Sequence, residues 1–69
     1  MRYLVVYEKG PTSYGAYLPD LPGCVAVGAS LAEVRTLIHE AVALHLADMR
    51  ATGQTIPQPS AIEMDYVEA

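Results

Sequence analysis

The chain has no tryptophan, no phenylalanine and one cysteine, Cys24. A lone thiol cannot close a disulfide within the chain, which excludes a disulfide framework as the support of so small a domain and fits a reducing, cytoplasmic setting. Positive charge is scarce as well. Arg2, Lys9, Arg35 and Arg50 stand against eight acidic residues, for a net charge of -4. They form no run or stripe, which argues against autonomous DNA or RNA binding, because that affinity rests on Lys and Arg at phosphates. An acidic surface suits a basic protein partner better. No apolar run reaches the roughly 18 residues that indicate a membrane span, and the apolar part of MRYLVVYEKG is too short for a secretory signal. A phosphate-cradling G-x-x-x-x-G-K loop, a C-x-x-C pair and a serine elbow are also missing, and nothing calls for a cofactor.

What is present is a hydrophobic content of 52% in 69 residues, which argues for a folded chain and for one domain spanning residues 1–69. A domain of this size buries only about 60% of the surface its unfolded chain exposes, so the core is expected to be thin and self-association would add buried area. Residues 2–8, RYLVVYE, combine β-branched and aromatic types and read as a strand. Tyr3, Val5 and Tyr7 fall on one face and Leu4 and Val6 on the other, so this strand is expected to be central. KGPTS supplies turn chemistry, and Tyr14 to Leu18 returns antiparallel as a hairpin. In PDLPGC, Pro19 and Pro22 cannot donate to a ladder, while Gly23 permits backbone conformations other residues resist, which makes a rigid corner. Cys24 to Val27 reads as a third strand, ending at Gly28. Ser30 and Glu33 have the spacing of a capping box, and Leu31, Val34, Ile38, Ala41, Val42, His45 and Met49 form one stripe at helical spacing. The helix is predicted from Leu31 to about Thr52, with Gly53 beyond its end. QTIPQPS is a connector. AIEMDYV alternates, with Ile62, Met64 and Tyr66 opposite Glu63, Asp65 and Val67, and reads as a fourth, half-buried strand.

The predicted class is α+β, in the order β-β-β-α-β. The helix would cross over one face of a four-stranded mixed sheet of order 3-2-1-4, with the last strand parallel to the first. One helix covers one face, so the double-sided apolar character of the first strand leaves a surplus that predicts a second chain.

Candidate chemistry is sparse. Cys24 has no base or cation among its sequence neighbours and reads as a small half-buried thiol at the start of a strand. His39 and His45, six apart, lie about 120 degrees apart around a helix and cannot chelate one ion as an i, i+4 pair does. His39 reads as solvated; His45, within the apolar stripe, reads as a core or interface residue bonded to a carbonyl, its role otherwise open. Glu63 and Asp65 share a strand face and, with Asp20, could imitate a metal nuclease, although a solvated polar face explains them equally well.

YGAYLPDLPGCVAVGASLAEV, followed by the helix, GQTIPQPS and a last strand, resembles the HicB-like antitoxin family, and especially its short single-domain members. The resemblance covers the chain from end to end and is carried by Pro19, Asp20, Pro22, Gly23 and Cys24 in the corner, by Gly28, by Ser30 and Glu33, and by Gly53 before the connector. It implies a partial ribonuclease H-like fold and a non-enzymatic role, the neutralisation of a small basic HicA-type toxin that cleaves messenger RNA, by covering its catalytic site. It also implies self-association to a dimer or tetramer. Many members carry a C-terminal DNA-binding domain, and nothing after the last segment supplies one here, so direct operator binding is not expected. Partner or oligomer surface is expected at Tyr3, Tyr7, Tyr17, Asp20, Glu63 and Asp65. The alternatives are an orphan relative without a cognate toxin, a divergent metal-dependent nuclease and a structural oligomer that binds a small ligand between subunits.

Overall fold

A computed structural model describes all residues, Met1–Ala69. Strands β1 (Val6–Lys9), β2 (Tyr14–Tyr17) and β3 (Val25–Gly28) are followed by helix α1 (Leu31–Ala51). The three strands form one antiparallel sheet in the order β1-β2-β3, with Val6 opposite Tyr17, Tyr7 opposite Ala16, and Tyr17 opposite Val25. Gly10 donates its N–H to the Ser13 carbonyl at 2.8 Å, which closes the hairpin turn between β1 and β2.

The corner after β2 contributes half of the core. Leu21 donates to the Leu18 carbonyl at 3.2 Å and Cys24 to the Leu21 carbonyl at 3.1 Å, so two turns follow one another directly. Each has proline in its second position, where the ring sets φ in advance, and Gly23 at φ 86° takes the left-handed position that a type II turn requires. Successive turns bring every third residue to the same side, and Leu18, Leu21 and Cys24 are all buried. They pack with Ala16 of β2 and with Val34 and Ile38 of α1.

The helix ends are satisfied locally. Glu33 donates its N–H to Ser30 Oγ at 3.1 Å, and the Glu33 carboxylate accepts from the Ala29 N–H, also at 3.1 Å. A Cβ on Gly28 would stand 2.5 Å from that carboxylate and 3.0 Å from Val34 Cγ2, so the end of β3 approaches the helix as closely as only glycine allows. At the other end Gly53 donates to the Arg50 carbonyl and Gln54 to that of Met49, the paired bonds of a Schellman ending.

The expected four-stranded β-β-β-α-β sheet of order 3-2-1-4, with its ribonuclease H-like outline, is overturned: the chain forms a three-stranded antiparallel sheet and one helix, β-β-β-α. Residues 61–67 form no strand, and Ile62 is 98% exposed. β1 is therefore an edge strand and not a central one, and α1 makes no crossover. Part of the reason lies across the hairpin. Continuing the register that pairs Val6 with Tyr17 would set Leu4 opposite Pro19, which has no N–H to donate, so β1 begins at Val6 and not at Arg2. Residues 2–5 thus offer no regular edge on which a last strand could build.

Candidate interaction surface

Two apolar regions are left open by this arrangement. The first is the outer face of the sheet. Tyr7, Ala16 and Ala26 pack toward the core, so the alternation turns Val6, Tyr17 and Val25 outward as one cross-strand row, with Val27 beside it. Val25 and Val27 are exposed at 60% and 66%.

The second region is a groove of about 710 Å³ between the N-terminal segment and the segment after the connector. Arg2, Tyr3, Val5 and Tyr7 line one wall, Ile62 and Met64 the other, and His39 of α1 also contributes. Two tethers hold the connector beside it. The Tyr3 hydroxyl donates to the Pro57 carbonyl at 2.5 Å. The Asp20 carboxylate accepts from the Ser60 N–H at 3.0 Å and from the Ser60 hydroxyl. The hydroxyl bond, with the backbone bond behind it, holds the Asp20 pKa below the ordinary carboxylate value.

The six residues expected at a partner surface are not brought to one place. Tyr3, Tyr7 and Glu63 line the groove, Tyr3 and Tyr7 half-buried with part of each ring against the core. The Arg35 guanidinium lies 5.6 Å from the Tyr7 ring centroid, a cation–π distance. Tyr17 is on the outer sheet face, Asp20 is engaged with Ser60, and Asp65 accepts from the Tyr66 N–H at 2.8 Å on the exposed final segment. Sequence reasoning did not single out Val25, Val27 or Ser60; His39, read as solvated, is exposed. For the two valines the signal was available, since C-V-A-V-G places both β-branched residues on one face and the small ones on the other. Ser60 could not be found this way, because its partner lies forty residues away.

Cys24 is buried, and desolvation raises its thiol above the ordinary value, the opposite of what a nucleophile needs. His45 is half-buried. No three His, Cys, Asp or Glu side chains converge as a metal site.

Comparison with known proteins bears on what these surfaces meet. A family model described as HicB-like antitoxin of bacterial toxin-antitoxin systems matches residues 3–68. An uncharacterised 14.9 kDa protein from the rep-hol intergenic region of Haemophilus phage HP1 is 32% identical over 63 residues, which are 91% of this chain and 47% of that protein. A UPF0150 protein of Helicobacter pylori is 44% identical over 46 residues, 67% of this chain and 64% of its own length. The chain thus spans about half of the first relative and just under two thirds of the second.

Proposed function

Because the chain belongs to the HicB-like antitoxin family of bacterial toxin-antitoxin systems, we propose that it neutralises a small basic toxin of the HicA type by covering the site at which that toxin cleaves messenger RNA. The module performs no catalysis itself and works as a self-associated assembly in the cytoplasm. It makes no direct contact with DNA through these 69 residues.

The observation that carries this reading is the outer sheet face. Tyr17, Val25 and Val27 lie exposed on a chain with a net charge of -4. Long-range attraction by the acidic chain speeds encounter with a basic partner, while tyrosine and valine side chains supply apolar area that stays wet until the partner arrives. The four basic residues are scattered, Arg2 and Lys9 near the N-terminus and Arg35 and Arg50 on the helix, which supports the reading without DNA contact. No helix is long and apolar enough to cross a membrane.

The test is inhibition of RNA cleavage by a small basic HicA-type toxin, sought in the reading frame beside this one. Wild-type protein is expected to stop cleavage at a stoichiometric ratio, and Val25→Asp with Val27→Asp to weaken inhibition at least about tenfold, as charge at the centre of an interface does. Undiminished cleavage in the presence of excess wild-type protein would refute the antitoxin reading. Full inhibition by the double variant would move the contact to another surface.

A further inference from the structure

Of the five glycines, four answer to the fold and one does not. Gly23 and Gly53 sit at positive φ, Gly10 lies in the hairpin turn, and Gly28 leaves room for the Glu33 carboxylate and Val34. Gly15 is in the middle strand of the sheet, paired with Glu8 on one side and Val27 on the other. Its φ is not positive, and a Cβ there would meet nothing nearer than the Ala26 carbonyl oxygen at 3.7 Å, an ordinary contact. The chain itself gives no reason to omit a side chain at this position, although glycine weakens a strand interior through its backbone entropy and its lack of packing. A glycine so placed is explained by the close approach of something outside the chain.

Strand alternation puts Gly15 on the outer sheet face, in the row next to Val6, Tyr17 and Val25. Glu8 and Val27 flank it, about 10 Å apart across two strand spacings, with no side chain between them. The result is a gap with a flat backbone floor, a carboxylate on one wall, valine on the other and Tyr17 one row along. Lys9 and Arg35 lie over the rings of Tyr14 and Tyr7, both of which pack toward the core, so the exposed Glu8 faces outward without them. An apolar group laid over Glu8 would strip water from a carboxylate and return nothing, and an anion would meet both that carboxylate and a net charge of -4. A cation is therefore the occupant, and a planar one fits best. The guanidinium of arginine lies flat on aromatic faces and offers paired N–H donors to a carboxylate, whereas the ammonium of lysine is compact and holds its water more tightly.

We propose that the gap over Gly15 seats one arginine side chain of the basic partner. Its guanidinium meets the Glu8 carboxylate, and its stem crosses the Gly15 backbone between Tyr17 and Val27. Gly15 and Glu8 then decide which partner the sheet face accepts, the first by leaving room and the second by charge. The seat rests on the antitoxin reading only for the protein that supplies the arginine; the preference for a guanidinium belongs to the sheet face itself.

Two measurements test this, and only the second involves a toxin. In the first, the backbone amides of the full chain are followed by NMR as a three-arginine peptide with blocked ends is added, with a three-lysine peptide as control. The arginine peptide is expected to shift Glu8, Gly15, Tyr17 and Val27 together and to bind more tightly than the lysine peptide. Gly15→Thr and Glu8→Gln are each expected to abolish that local response. Gly15→Thr is also expected to keep the urea midpoint at or above that of wild type, because the fold has room for the side chain. A midpoint that falls would show that the fold itself needs glycine, and would overturn the proposal. So would shifts spread evenly over the acidic residues, equal responses to the two peptides, or a response that survives Gly15→Thr. In the second, Gly15→Thr is expected to weaken inhibition of RNA cleavage by a HicA-type toxin at least about tenfold. Wild-type protein that fails to inhibit would remove the antitoxin reading, with the peptide result still deciding the arginine seat. Inhibition by Gly15→Thr equal to that by wild type would overturn the seat and leave the antitoxin reading standing.

Discussion

Leu21 is 1% exposed and sits between two proline turns. Neither turn can relax far enough to close a hole left beneath it, so Leu21→Ala is expected to cost about 2–5 kcal/mol in urea unfolding. Ile62→Ala, on a side chain in full contact with water, is expected to leave the stability of a single chain nearly unchanged. Asp20 ties the same corner to the connector, and its effect depends on pH. Its folded-state pKa lies below the ordinary 3.8 because Ser60 donates to the carboxylate. The tie therefore contributes stability above that value and loses it as pH falls through the lower, folded one. Asp20→Asn is expected to lower the urea midpoint at neutral pH, with the gap to wild type closing in acid. That PDLPGC is a corner was legible from its prolines and glycine. That Leu18, Leu21 and Cys24 supply half the core was not, because a spacing of three created by consecutive turns matches neither helical nor strand periodicity.

Among the elements, the helix was the most legible, since both of its ends are set within a few residues. Ser30, Glu33 and Gly53 each act on neighbours in sequence, and the observed bounds Leu31–Ala51 follow from them. Ser30→Ala is expected to cost about 1 kcal/mol. Gly28 binds the third strand to this helix start, because a side chain there would displace the Glu33 carboxylate. Gly28→Ala is accordingly expected to be less damaging in a Glu33→Ala background, a coupling that a double-mutant cycle measures directly. The sheet was harder to read. Alternation in AIEMDYV describes two faces, yet a strand also needs an edge, and whether one is available depends on pairings elsewhere in the chain. Here Pro19 falls opposite Leu4 and the first strand stops short, a consequence visible only once the hairpin register is known. The double-sided apolar pattern of RYLVVYE belongs to an edge strand and the segment before it, where Tyr3, Leu4, Val5, Val6 and Tyr7 are all half-buried.

The whole molecule is a two-layer slab, 41 × 27 × 15 Å, whose two open apolar regions lie in different places. One is the outer sheet face and the other the groove at the N-terminal segment. Charge at Val25 and Val27 is expected to weaken inhibition of a toxin, whereas charge at Ile62 and Met64 is expected to leave it intact. Which surface meets which partner was beyond the sequence, since Tyr3, Tyr7 and Tyr17 look alike in a period-two pattern until the position of the helix assigns them to different faces. The central claim is that this acidic module holds a basic toxin. It is tested most directly by isolating the protein at its native level from its own cells, measuring the mass of the complex by light scattering and identifying its components. A stoichiometric small basic partner is expected. Recovery of only the self-associated chain, with no second component, would contradict the account.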